Sequence, residues 1–131
     1  MAETSFTLAA AVAAGGALGA LGRYLATSWI RRRLGPGFPY GTLAVNAGGS
    51  LLLGAFAAFA SSQWRIAPEV QAFVAVGALG AFTTVSTFAL DTANLAGQHR
   101  RLRAGAYVVL SVGLSLAGAA LGYYLVRAVS I

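Results

Sequence analysis

Residues 77–88 read Gly77-Ala78-Leu79-Gly80-Ala81-Phe82-Thr83-Thr84-Val85-Ser86-Thr87-Phe88. The stretch lies inside an apolar block long enough to cross a membrane, yet it carries two glycines and four hydroxyl side chains. A lipid-facing helix has no use for that composition. In hydrocarbon every backbone amide or carbonyl freed from a helix needs a partner, so a helix breaks there only where protein or a polar cavity receives it. The residues therefore predict a transmembrane helix interrupted near 77–84, with a role in binding or conduction.

The rest of the chain fits that setting. Of its 131 residues 58% are hydrophobic and 9% charged, with a mean hydropathy of +0.74. A soluble domain of this length needs more charge to cover its surface. The apolar residues fall in blocks at about 6–30, 41–61, 69–90 and 104–126. Each reaches the roughly 20 residues that span a ~30 Å hydrocarbon core. The expected architecture is an all-α integral membrane protein with four transmembrane helices. They cover about 6–30, 41–61, 69–97 and 104–129, the third broken mid-membrane, in a single domain over 1–131. Pro36 and Pro39 end the first span's continuation, and Pro68 with Glu69 suits the first turn of the third. The loop through Gln63, Trp64 and Arg65 is interfacial in character. The N-terminus lacks a basic run and its apolar block is too long for a signal peptide, so the first span is expected to stay in the mature protein.

A net charge of +6 and a pI near 10.9 invite a nucleic-acid reading, but the arginines sit at helix ends. Arg31, Arg32 and Arg33 follow the first span, and Arg100, Arg101 and Arg103 follow the third. Membrane orientation and contact with lipid headgroups account for them, and no nucleic-acid partner is expected. The absence of cysteine excludes disulfides and thiolate metal sites. Gly15 with Gly19, and Gly118 with Gly122, have the spacing that lets helix backbones approach closely. They predict a bundle, not a function.

Function rests on the polar residues inside the spans. Arg23 lies two turns inward from Arg31, about 12 Å along the helix, where it either faces a partner or water or snorkels to the interface. Asn46 can donate two hydrogen bonds to an anion or bridge two helices. Tyr107, Ser111 and Ser115 recur every four residues and place three hydroxyls on one helix face. Ser86 and Thr87 add donors, and Phe82 and Phe88 offer ring edges that carry partial positive charge. Asp91 is the acid inside the spans, and the single histidine, His99, falls in a loop. A proton-coupled pump would carry a relay of acids or histidines. A track of neutral donors suits a small, strongly hydrated anion.

These residues resemble the Fluc (CrcB) family of fluoride channels. Gly15–Tyr24 is similar to the family's first-helix motif, Gly41–Ser50 to its second, and Gly77–Phe88 to its broken helix; Tyr107, Ser111 and Ser115 follow at matching intervals. The resemblance implies a fluoride-selective channel that exports fluoride passively across the cell inner (plasma) membrane. It also implies an antiparallel, dual-topology dimer with two pores and a structural Na+ on the two-fold axis, held by carbonyls of Gly80 and Thr83. It places Asn46, Ser86, Thr87, Phe88, Tyr107, Ser111 and Ser115 along the pore, with Arg23, Thr42 and Asp91 at the vestibules. Asp91 stands where the family usually has glutamate, and Val85 where it has the first of two phenylalanines facing the ion.

Charge distribution pulls against dual insertion. Four spans put Arg65 and Arg127 on one side and Arg31–33, Arg100, Arg101 and Arg103 on the other. That imbalance favours a fixed orientation, with the second subunit an oppositely oriented homologue that supplies the missing phenylalanine. A four-helix drug exporter would need an acid in span one, which is absent. A non-conducting partner subunit draws support from Val85. No nucleophile–base pair or metal-ligand cluster points to an enzyme.

Overall fold

The structure, a computed structural model, describes residues 2–61 and 66–129; the expected interfacial loop through Gln63, Trp64 and Arg65 falls largely outside them. The described residues are mostly helical, with no strand among them. Helix α1 covers Ala2–Leu34 and α2 covers Tyr40–Ser61. Helix α3 occupies residues 68–82, α4 Val85–Gly97 and α5 Arg101–Val129. Four stretches, Glu3–Leu34, Tyr40–Ser61, Pro68–Gly97 and Arg101–Val129, are long and apolar enough to cross a membrane.

Helices α1 and α5 reach beyond their expected bounds, and α1 already starts at Ala2. Helix α1 runs on through Arg31–Arg33 to Leu34, because arginine is a good helix former and its charge suits a helix C-terminus. Gly35, at φ 77°, then closes the helix in the left-handed conformation that glycine adopts without penalty, its N–H bonded to the Arg31 carbonyl at 2.9 Å. Helix α5 likewise starts at Arg101, before the expected 104.

The larger correction concerns the broken helix. The interruption expected near 77–84 is confined to Thr83 and Thr84, which are extended at φ −83°, ψ 160° and φ −152°, ψ 122°. Residues 77–82 stay helical. The winding over Ala72–Leu79 is wide, with the Gly80 N–H reaching back to the Ala75 carbonyl. Gly77 serves packing here. A Cβ on it would lie 2.7 Å from the Val12 carbonyl oxygen and 2.9 Å from the Gly16 amide, so its missing side chain lets α3 lie on the α1 backbone. From the other side, a Cβ on Gly15 or Gly19 would collide with the carbonyls of Phe73 and Ala78.

A second seam joins α2 and α5. Gly122 sits against the Leu51 carbonyl, Gly54 against the Ala119 carbonyl, and a Cβ on Gly118 would lie 2.9 Å from the Ala47 oxygen. Lipid gives helices no hydrophobic reason to associate, so contact at this range, with its dispersion energy, is what holds them. At one end of the bundle Phe38, from the loop between α1 and α2, packs against Leu95, Ala104 and Tyr107. That cluster fastens the two arginine-bearing turns to each other.

Candidate ion pathway

The break exposes backbone polar groups inside an apolar bundle, and each of Thr84's finds a partner. Asn46, on α2, donates from Nδ2 to the Thr84 carbonyl at 2.9 Å, and its Oδ1 accepts the Thr84 N–H at 2.7 Å. One side chain thus closes both main-chain groups of an extended residue. Thr84 also caps α4: its Oγ1 accepts the Thr87 N–H at 3.2 Å, satisfying one of the amides that a helix start leaves open. Arg23 Nη1 reaches the Thr83 carbonyl at 3.4 Å, and the Thr83 hydroxyl bonds back to the Leu79 carbonyl at 3.1 Å.

Beside the break lies a cavity of about 720 Å³, whose walls include Arg23, Thr42, Thr84, Thr87, Asp91 and Asn94. Arg31 and Gln98 also line it, so it opens toward the arginine-rich end. Within it Thr42 donates to Asp91 Oδ2 at 2.7 Å, and the Tyr107 hydroxyl donates to the same oxygen at 3.4 Å. The carboxylate therefore ties α2, α4 and α5 together. No ion pair joins it to Arg23 among the described residues, which leaves the guanidinium's other donors facing the cavity.

The hydroxyl stripe of α5 continues from Tyr107. That side chain is fully buried, its ring 5.4 Å from Phe88 and 5.6 Å from Phe38 between centroids, the latter contact edge-on. One turn further, the Ser111 hydroxyl is buried beside that of Tyr107 yet makes no hydrogen bond of ordinary geometry, alone in this among the described residues. A serine or threonine in an apolar helix ordinarily bonds the carbonyl one turn back. Thr27 does so to Arg23 at 2.7 Å and Thr92 to Phe88 at 2.8 Å. Ser111 holds its donor in reserve. Ser115 follows, half-buried.

The expected site residues thus fall into two joined groups and a remainder. Arg23, Thr42, Thr87 and Asp91 share the cavity, and Tyr107 links it to Phe88 and Ser111. Asn46 works on the break as a bridge between helices. Gly80, Val85 and Ser86 are exposed on the outer face of the bundle, Val85 by 80%. Thr84 escaped the sequence reading although it is the most heavily bonded residue of the break; its signal was a threonine three residues ahead of Thr87, the spacing of an N-cap. Phe38 escaped it too, because nothing local says where a loop aromatic packs.

Comparison with known proteins gives the family. The family described as CrcB-like protein, Camphor Resistance (CrcB), matches residues 10–123. The chain belongs to the CrcB family. It is 44% identical over 122 residues to the fluoride-specific ion channel FluC 1 of Nitrobacter hamburgensis, covering 93% of this chain and 97% of that protein. It is 44% identical over 117 residues to the fluoride-specific ion channel FluC of Rhizobium meliloti, covering 89% and 94%. A third relative, from Hahella chejuensis, shares 43% over 116 residues and 88% and 91% of the two chains. The matched span of this CrcB chain contains every residue placed above along the cavity, the break and the α5 stripe. It is a multi-pass membrane protein of a channel family, not an enzyme.

Proposed function

We propose that this chain forms the conducting part of a fluoride channel, and that the hydroxyl of Ser111 carries the assignment. A buried donor with no partner destabilises the fold by about 1–3 kcal/mol unless something accepts from it. Fluoride is a small, strongly hydrated acceptor, and a stripe of neutral O–H groups replaces its water without trapping it as fixed cations would. Thr87 supplies a donor at the cavity, Ser111 continues the track past Tyr107, whose own proton goes to Asp91, and the ring edge of Phe88 offers partial positive charge beside it. Arg23 raises the anion concentration at the cavity mouth. Asp91, engaged by Thr42 and Tyr107, belongs to the scaffold and offers no proton relay, which supports passive flow. The role that follows is fluoride export from the cytoplasm across the inner membrane.

The outer face of the break supports a dimer. Polar backbone at membrane depth is tolerated only under protein or beside a cavity, and Gly80, Val85 and Ser86 stand uncovered on one chain. An antiparallel second subunit would cover them. The carbonyls of Gly80 and Thr83 suit a sodium ion there. The Thr83 oxygen is released from the helix ladder because the Thr87 N–H goes to Thr84 Oγ1 instead. Each oxygen also keeps a lone pair beyond its weak local donor, Thr83 Oγ1 at 3.5 Å and Arg23 Nη1 at 3.4 Å. When bound, the cation would neutralise converging carbonyl dipoles and join the two breaks.

The partner's identity turns on charge and on Val85. The arginine imbalance favours one fixed orientation, and Val85 lacks the aromatic edge that a facing phenylalanine would give. Fluoride efflux from liposomes holding this protein alone is the deciding measurement. Efflux from the single protein establishes a homodimer that tolerates Val85. Efflux only beside an oppositely oriented homologue establishes the heterodimer, and none in either case removes the channel reading.

A further inference from the structure

Thr84 is buried, with 6% of its surface exposed, and its hydroxyl sits in a cluster whose proton directions can be counted. A hydroxyl has one proton and two lone pairs. Thr84 Oγ1 donates its proton to Thr87 Oγ1 at 3.1 Å. It accepts the Thr87 N–H at 3.2 Å. Its remaining contact, 3.2 Å to Ser86 Oγ, must then be a bond in which Ser86 is the donor, because Thr84 has no second proton to give. The chain of donation runs from Ser86 to Thr84 to Thr87. It ends on Thr87, whose own proton has no acceptor in the cluster and whose side chain lines the 720 Å³ cavity.

From this we infer that Thr84 is a positioning residue for anion recognition: it aims the Thr87 proton into the cavity and consumes that of Ser86. Hydrogen bonds in series polarise one another, so the terminal O–H of such a chain is a stronger donor than an isolated threonine. Asn46 makes the arrangement rigid by holding both main-chain groups of Thr84, which leaves the side chain no other rotation that keeps the cap. Of the two neighbouring hydroxyls, Thr87 touches the ion and Ser86 acts through Thr84.

The inference rests on the fluoride-channel reading, and a mutant cycle separates the two. The measurement is fluoride efflux from liposomes containing the reconstituted protein, with its partner subunit if one is required. Thr84→Val keeps the shape and the backbone clamp but removes the hydroxyl and with it the cap on Thr87 N–H, and should slow efflux by up to about 30-fold, the ceiling set by one hydrogen bond to a charged acceptor. Thr84→Ser should stay within about threefold of the parent. Thr87→Val should be at least as slow as Thr84→Val, and the double variant no slower than Thr87→Val alone, because Thr84 reaches the ion only through Thr87. A purely structural Thr84 would instead multiply the two losses. Such multiplication, or a Thr84→Ser protein as slow as Thr84→Val, overturns the inference while leaving the channel intact. If Thr84→Val does not assemble, Ser86→Ala and Thr87→Val decide: about threefold against about 30-fold supports the stated direction, and the reverse order overturns it. A parent protein that releases no fluoride in any pairing overturns both readings.

Discussion

The seam between α2 and α5 and the break between α3 and α4 lie in one bundle and are built on opposite terms. At the seam, Gly54, Gly118 and Gly122 bring backbone against backbone while both helices keep their hydrogen-bond ladders complete. At the break, two residues leave the ladder; side chains from α1 and α2 take up their polar groups, and Thr84 in turn caps α4. The seam has no spare polarity and therefore nothing to offer an ion. The break has an excess of it, partly tied down and partly turned toward the cavity. A membrane bundle can hold an irregular segment of this kind only because its other contacts are so regular.

The contrast can be broken most severely from the seam. Gly122→Leu forces a side chain into the Leu51 carbonyl, where only backbone can yield, and should destabilise by about 3 kcal/mol or more. Loss of monodisperse protein on size-exclusion chromatography would register it. A Gly122→Leu protein that melts like the parent would mean the seam is not tightly built. At the break, Asn46→Asp keeps the acceptor for the Thr84 N–H but sets a carboxylate oxygen against the Thr84 carbonyl. The expected cost is about 2 kcal/mol of stability and at least about 30-fold of fluoride efflux, through lost geometry as well as anion repulsion. Unchanged efflux in that variant would show the clamp to be dispensable.

Ser111→Ala sharpens the comparison, because stability and function should part company. Removing an unpartnered buried hydroxyl should leave the melting temperature unchanged or slightly raised, while efflux falls about tenfold. If efflux persists, the α5 stripe is not on the path. The smallest effect lies outside the spans. His99 adopts φ 57° where α4 ends, a conformation that favours glycine, with the following Arg100 N–H bonded to the Leu95 carbonyl. His99→Gly should raise stability by a few tenths to about 1 kcal/mol and leave efflux alone, read by thermal melting.

Legibility in the sequence followed the range of the interaction. Helix positions came from blocks of apolar residues and were wrong mainly at their ends, where Arg31–Arg33 and Arg101 extend the helices beyond the apolar cores. The presence of a break was visible in the hydroxyl run, but its width was not. Gly77 looks like a breaker along the chain and becomes a contact surface only when α1 lies beside it. Asn46 was legible as a donor. Its partner, 38 residues away on the break, was not.

Composition and spacing therefore fix the class and the inventory: a membrane bundle, its arginine asymmetry and the donors inside it. Hydropathy, charge and spacing add along a chain, so they can be summed without knowing the fold. The tertiary structure alone decided how those donors are spent. Thr42 reaches Asp91 across 49 residues, Asn46 closes on Thr84, and Ser111 makes no hydrogen bond. Hydrogen bonds act over about 3 Å, and only the packing of helices sets which groups come that close.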